Sequence, residues 1–350
     1  MNAITNSLEA HAQGPVLTCM ERVYGFPTNE PGIDKGVSAC FAGTANGFLL
    51  MAGGCNFPET PAAEGGKKRY YKGIYAASLA DNTDLQWKQI GSLPHECAYG
   101  VSIQLDNGLL CVGGNNHDSS LTDAFILSVN DGKAVLQQLP SLPFAMDNFT
   151  GCRRGNEIIV TNGKDICTLN LCHPEEGWSL IPIAGGTVLG QPVCGSAQGS
   201  FYLWGGCTAK KPEQPTTLHI DGDRFTDLTV GSTPVESPFD YDGNAIYLGG
   251  ATAINLSADT IVAIGGVNKD IFLDAVNNPK PGYMTHPIEW YRFNPYISVF
   301  TEGRWHIAGK SQVTARAGAA LAVFGNYIYI IGGELKPGIR TPEIYRMTIK

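Results

Sequence analysis

Six times along the chain, a strand-like run of small residues passes through a turn into an apolar run. Each ends at a glycine pair or its near equivalent. The copies are GVSACFAGTANGFLLMAGG ending at Gly54, YGVSIQLDNGLLCVGG at Gly114, TGCRRGNEIIVTNG at Gly163, CGSAQGSFYLWGG at Gly206, GGATAINLSADTIVAIGG at Gly266 and AGAALAVFGNYIYIIGG at Gly333. Their ends are 60, 49, 43, 60 and 67 residues apart, and the third copy carries Asn162-Gly163 in place of the pair. A third strand follows each pair (GIYAASL, DAFILSV), then a fourth (LQWKQIGSLP, VLQQLPSLP, GWSLIPI, RWHIAGK). One such unit cannot bury both of its apolar faces alone, so the units must stack on one another.

A period near ~50 residues with four short strands per unit predicts an all-β fold, a six-bladed β-propeller of the kelch type. The last unit stops after its third strand, Glu343–Ile349, so its fourth is expected from Val16–Val23 at the other terminus. That pairing closes the ring and removes an exposed edge. The runner-up is seven blades with one unit unrecognised, and the short middle spacings argue against it. The chain reads as one domain, 1–350, with residues 1–15 as an N-terminal extension. Gly36, Gly100, Gly151, Gly195, Gly250 and Gly318 are expected in the crowded innermost strands.

Charged residues make up 16% of the chain and the net charge is −8. That balance excludes a nucleic-acid partner, which needs basic patches; an acidic small ligand would require a local cationic site. No apolar run reaches the ~20 residues that span a bilayer, so no membrane partner is expected. Met1–Gly14 is polar and lacks a signal-peptide core. Ten cysteines without a C-x-x-C pair favour free thiols in a reducing compartment, hence the cytoplasm, with the periplasm as the alternative if a leader has been removed. The seven histidines form no H-x-x-x-H or H-E-x-x-H pair, so neither metal nor other cofactor is expected.

In an antiparallel propeller the loops between strands two and three share one end of the ring with the loops between blades. Two of them are long, Cys55–Lys72 and Val267–Pro287, and long loops in compact domains are commonly functional. In a third, GGELKPGIRTPEIY, Pro337-Gly338 forms a turn that can bring Glu334 and Arg340 together at the channel mouth. As an exposed tether such an ion pair would be worth little.

This last loop resembles the GExKPGLRT loop of the bacterial N-acetylneuraminate epimerases, the sialic acid mutarotases. GGVNKDIF (265–272), GGKKRYYKGI (65–74) and AYGVS (98–102) resemble further segments of that family. In better-known members the GGVN and GExKPG blades come first, whereas here they come last, so the chain resembles a circularly permuted member. The resemblance implies an isomerase that interconverts the α and β anomers of N-acetylneuraminic acid by ring opening. It implies Glu334 and Arg340 as the catalytic pair. Lys67, Lys68, Tyr99, Asn115, Asn268 and Arg316 are the expected substrate contacts. The partner is then a small acidic sugar, with a homodimer left open as the protein assembly. Two other readings stand beside it: a kelch carbohydrate- or protein-binding module without catalysis, and a mutarotase for another sugar acid.

Overall fold

The computed structural model describes residues 14–80 and 83–350. The expected N-terminal extension lies almost wholly outside the described residues. Six four-stranded antiparallel sheets form six blades. Their innermost strands are Phe41–Ala45, Val101–Leu105, Thr150–Arg154, Gly190–Ala197, Ala251–Ser257 and Ala320–Phe324, for blades 1 to 6 in order. Second strands such as Phe48–Ala52 and Tyr327–Ile331 are buried almost throughout, because each is sandwiched between two neighbouring blades.

Ring closure is as expected. Leu17–Val23 pairs antiparallel with Ile344–Ile349, placing Val23 against Ile344 and Leu17 against Ile349. Val16 and Lys350 add two reciprocal backbone hydrogen bonds of 2.7 and 3.0 Å. The termini of the chain thus complete blade 6, and the loops of blade 6 come to lie beside those of blade 1.

The glycine pairs have a steric origin. Both members of Gly53-Gly54 and Gly332-Gly333 have positive φ, between 59° and 101°. A Cβ on Gly53 would lie 2.3 Å from the Cys97 carbonyl oxygen, and one on Gly332 equally close to that of Val37. The second glycine donates its N–H to that same carbonyl, Gly54 to Cys97 and Gly333 to Val37, each at 2.8 Å. Each pair therefore locks one blade to the segment that enters the next. In blade 3 the side chain of Asn162 instead accepts the N–H groups of Lys164 and Asp165, which makes a tight turn with no extended loop.

A second device circles the channel. The residues that lead into the six inner strands, Ala39, Tyr99, Asn148, Gln191, Gly250 and Gly318, all have φ between 52° and 73°. Each donates its N–H to the carbonyl of the one before it, and Ala39 donates to Gly318. These six bonds, 2.6 to 3.1 Å long, form a closed ring at the mouth. Below it, where the inner strands diverge, side chains take over: Ser102 accepts the Ala42 N–H, Gln104 that of Thr44 and Asn255 that of Ser196.

Two expectations change in detail. Of the six glycines expected in the inner strands only Gly151 and Gly195 lie within them; Gly100, Gly250 and Gly318 stand just before theirs, and Gly36 packs further out against the backbone of Thr341. The segment read as a plain loop at 267–287 holds a helix, Lys269–Asn277, whose N-cap Asn268 accepts the N–H groups of Asp270 and Ile271.

Candidate functional site

Ring closure makes blades 5, 6 and 1 consecutive, and their loops between strands two and three are neighbours. They converge over the hairpin of blade 6. Rather than leading straight into the third strand, Arg340 closes a small ladder of its own, in which Glu334–Lys336 pairs with Ile339–Arg340. Glu334 and Arg340 are directly opposite, so their side chains share one face. The backbone of Glu334 is pinned to Ala317 by two hydrogen bonds of 2.7 and 2.9 Å. A Cβ on Gly338 at the turn would lie 2.5 Å from that of Ala62 in the blade 1 loop. Lys336 reaches the blade 5 loop by donating to the His286 carbonyl at 2.6 Å.

The ion pair is not an exposed tether: the Arg340 side chain is buried and that of Glu334 half-buried. Arg340 Nη2 lies 2.8 Å from Glu334 Oε2, and the two side chains are 4% and 22% exposed. Arg340 Nε donates to Ser38 Oγ at 3.0 Å, and the guanidinium carbon stands 5.1 Å from the centre of the Phe57 ring. Nη1 is buried and makes no hydrogen bond of good geometry among the described residues. Glu334 Oε1 accepts the Gly338 N–H at 3.0 Å. Burial raises the Glu334 carboxyl above its ordinary value, opposed by the charge of Arg340, the Gly338 N–H and the charge of Lys68. For Arg340, burial works against the charge, but Glu334 and then Cys55 and Tyr99 outweigh it and raise the guanidinium further.

Lys68 enters from the blade 1 loop and donates to the Tyr99 hydroxyl at 3.1 Å, with its ammonium 4.9 Å from the centre of the Tyr99 ring. The Cys55 thiol lies 3.5 Å from the same hydroxyl. Tyr70 packs edge-on against His117, their ring centres 4.9 Å apart. The carboxylate of Asp147 is held by Ser120 and Asn148. A cavity of about 220 Å³ runs down the channel from this mouth, lined by the six ring residues and the inner strands. Arg340, Lys68 and Glu334 together carry one net positive charge, on a chain whose total is −8.

The structure thus brings Glu334, Arg340, Lys68 and Tyr99 together. Asn115 is bonded through its backbone to Ala98 and has a buried side-chain oxygen without a partner. Lys67 points to solvent, and the Asn268 side chain is occupied as the helix cap. Arg316 is fully buried, with Nε on the Val313 carbonyl and Nη1 on those of Gly332 and Glu343, so it braces blade 6 from within. Sequence reasoning missed Ser38, Cys55, Phe57 and Asp147. Of these Cys55 and Phe57 lie in the long loop Cys55–Lys72, where mouth residues are expected.

A family model for N-acetylneuraminate epimerase matches residues 8–136 and 139–350. The chain belongs to the N-acetylneuraminate epimerase family. The N-acetylneuraminate epimerase of Salmonella enteritidis PT4 is 26% identical over 225 residues, covering 59% of this chain and 57% of that protein. The N-acetylneuraminate epimerase of Haemophilus influenzae is 28% identical over 233 residues, covering 61% and 60%. The aligned stretch therefore spans less than two thirds of these relatives. A solved structure described as "Structure of YjhT" superposes with a TM-score of 0.61 at 13% identity, covering 94% of this chain and 99% of that one, which shows a shared fold.

Proposed function

We propose that this family member interconverts the α and β anomers of N-acetylneuraminic acid, with Glu334 moving the proton and Arg340 holding the carboxylate. The observation that carries the reading is the buried Nη1 of Arg340, without a hydrogen bond of good geometry among the described residues, beside a carboxyl held above its ordinary value. A desolvated donor left without a partner is costly, and a ligand carboxylate satisfies it. Mutarotation of a sialic acid requires the anomeric hydroxyl to lose its proton while the ring oxygen gains one. The chain opens, the carbonyl turns its other face, and the ring recloses. A carboxyl whose pKa is raised by burial can exchange that proton at a higher pH than a free glutamate.

We also propose that the blades are circularly permuted relative to the curated relatives. The GGVN and GELKPG segments stand at the C-terminal end, and the pairwise matches extend over only about three fifths of the chain. Because the ring is closed by non-covalent pairing of the terminal strands, any blade can begin the chain without altering the site.

Proton NMR of freshly released N-acetylneuraminate, followed in time with and without protein, tests the activity. Acceleration of anomer exchange supports the reading. Binding without acceleration would leave a carbohydrate-binding module, and acceleration confined to a different sugar acid would reassign the substrate.

A further inference from the structure

We propose that Tyr99 is a second catalytic residue, the group that gives the ring oxygen its proton as the sugar opens and takes it back as the ring closes. The inference rests on the anomer-exchange reading above and deepens it, since one carboxyl accounts for only one of the two proton transfers.

Three observations converge on this side chain. The first is backbone conformation. Tyr99 is the single aromatic residue in the ring of six, at φ 59°. A bulky side chain in the left-handed region is strained, and the other five positions hold Ala, Asn, Gln, Gly and Gly. The second is hydrogen-bond capacity. A phenol oxygen accepts two hydrogen bonds and donates one. Lys68 Nζ supplies one at 3.1 Å and the Cys55 thiol a weak second at 3.5 Å. Arg340 faces the same oxygen, and none of these three donors takes the phenolic proton readily, so that proton is left for another partner. The third is location: Tyr99 is half-buried, lines the cavity, and shares the cluster with Arg340 and Glu334. Burial, and after it Cys55, keeps the phenol above its ordinary value of 10, so it enters the reaction protonated.

The step balances without any added reagent. Glu334 takes the proton from the anomeric hydroxyl, and the oxygen's electron pair forms the carbonyl. The bond from the anomeric carbon to the ring oxygen breaks, and its electron pair takes the proton of Tyr99. The phenolate is held by the Lys68 ammonium, with the Arg340 charge nearby. After the carbonyl turns, the new hydroxyl attacks it, Tyr99 recovers its proton, and protonated Glu334 returns one to the anomeric oxygen.

Tyr99→Phe keeps the ring, its packing and its backbone, and removes only the hydroxyl. With N-acetylneuraminate as substrate, kcat for anomer exchange by NMR should fall ~10²-fold or more, while the Kd by calorimetry stays within about threefold. Lys68→Met should also lower kcat, because the phenolate loses its counter-charge. A weakened Kd with unchanged kcat would make Tyr99 a binding residue and overturn the proposal. Wild-type rates in Tyr99→Phe, with Glu334→Gln inactive, would overturn it while leaving the anomer-exchange reading in place. A wild-type protein that does not accelerate exchange at all would remove both. Circular dichroism on each variant establishes that the comparison is between folded proteins.

Discussion

Arg340 and Glu334 face each other across one rung of a two-residue ladder, 2.8 Å apart, and one buried guanidinium nitrogen makes no hydrogen bond of good geometry among the described residues. Three of its contacts use different parts of the guanidinium: Nη2 on Glu334, Nε on Ser38 and the charge beside the Phe57 ring. Arg340→Lys retains the charge but cannot hold Glu334 and Ser38 while presenting a further donor to a ligand. Binding of N-acetylneuraminate should weaken ~10-fold or more, measured by calorimetry, in line with the ~1.5–3 kcal/mol of a charged hydrogen bond. An unchanged Kd would separate Arg340 from the ligand.

The pH dependence has a definite sign. Burial raises the Glu334 carboxyl above 4.5, despite the opposing charge of Arg340. The base form is therefore lost at a higher pH than for a free glutamate as acid is added. The acid limb of the exchange rate should lie above pH 4.5 in the wild type and vanish in Glu334→Gln, once the unaided exchange in water is subtracted. The native state also binds this proton more tightly than the unfolded chain does. Ionised Glu334 thus costs stability above its folded pKa, and that cost is relieved as the pH falls through it. A limb at or below 4.5 would mean that burial does not govern this group.

Closure of the ring rests on the N-terminal strand. Val23 is buried against Ile344, and Glu21 pairs with Arg346 on the strand beside it. Val23→Ala removes two methyl groups from a packed core and should cost roughly 2 kcal/mol in denaturant unfolding. Deleting residues up to Val23 bares the edge of Ile344–Ile349 and should lower Tm and promote association. Unfolding at the wild-type midpoint after that deletion would refute the closure.

The blades were legible because each glycine pair is needed locally. The second strand must turn sharply while its backbone presses on the next segment, and that leaves a mark in every repeat. Blade 3 solves the same problem with the Asn162 side chain, which is why its signature is weaker. The Glu334–Arg340 pair was legible because Pro337-Gly338 makes it a local hairpin. Ser38 and Asp147 were not, since blade packing, not sequence proximity, brings them to the mouth. Arg316 and Asn268 carry chemistry suited to a ligand, yet the fold occupies both with its own backbone. For Asn268 the signal was present, an N-cap residue ahead of a run with Ile271 and Phe272. For Arg316 it was not, because three carbonyls from separate segments converge on it only in the folded ring.

The central claim is that Glu334 moves the proton, and time-resolved NMR of anomer exchange by Glu334→Gln tests it most directly. Gln keeps the size of the side chain and can still accept from Arg340 and Gly338, but it cannot exchange a proton near neutral pH. The account predicts a folded variant that still binds N-acetylneuraminate and exchanges its anomers ~10²-fold or more slowly than the wild type, after subtraction of the unaided rate. A folded Glu334→Gln protein exchanging at the wild-type rate would contradict it.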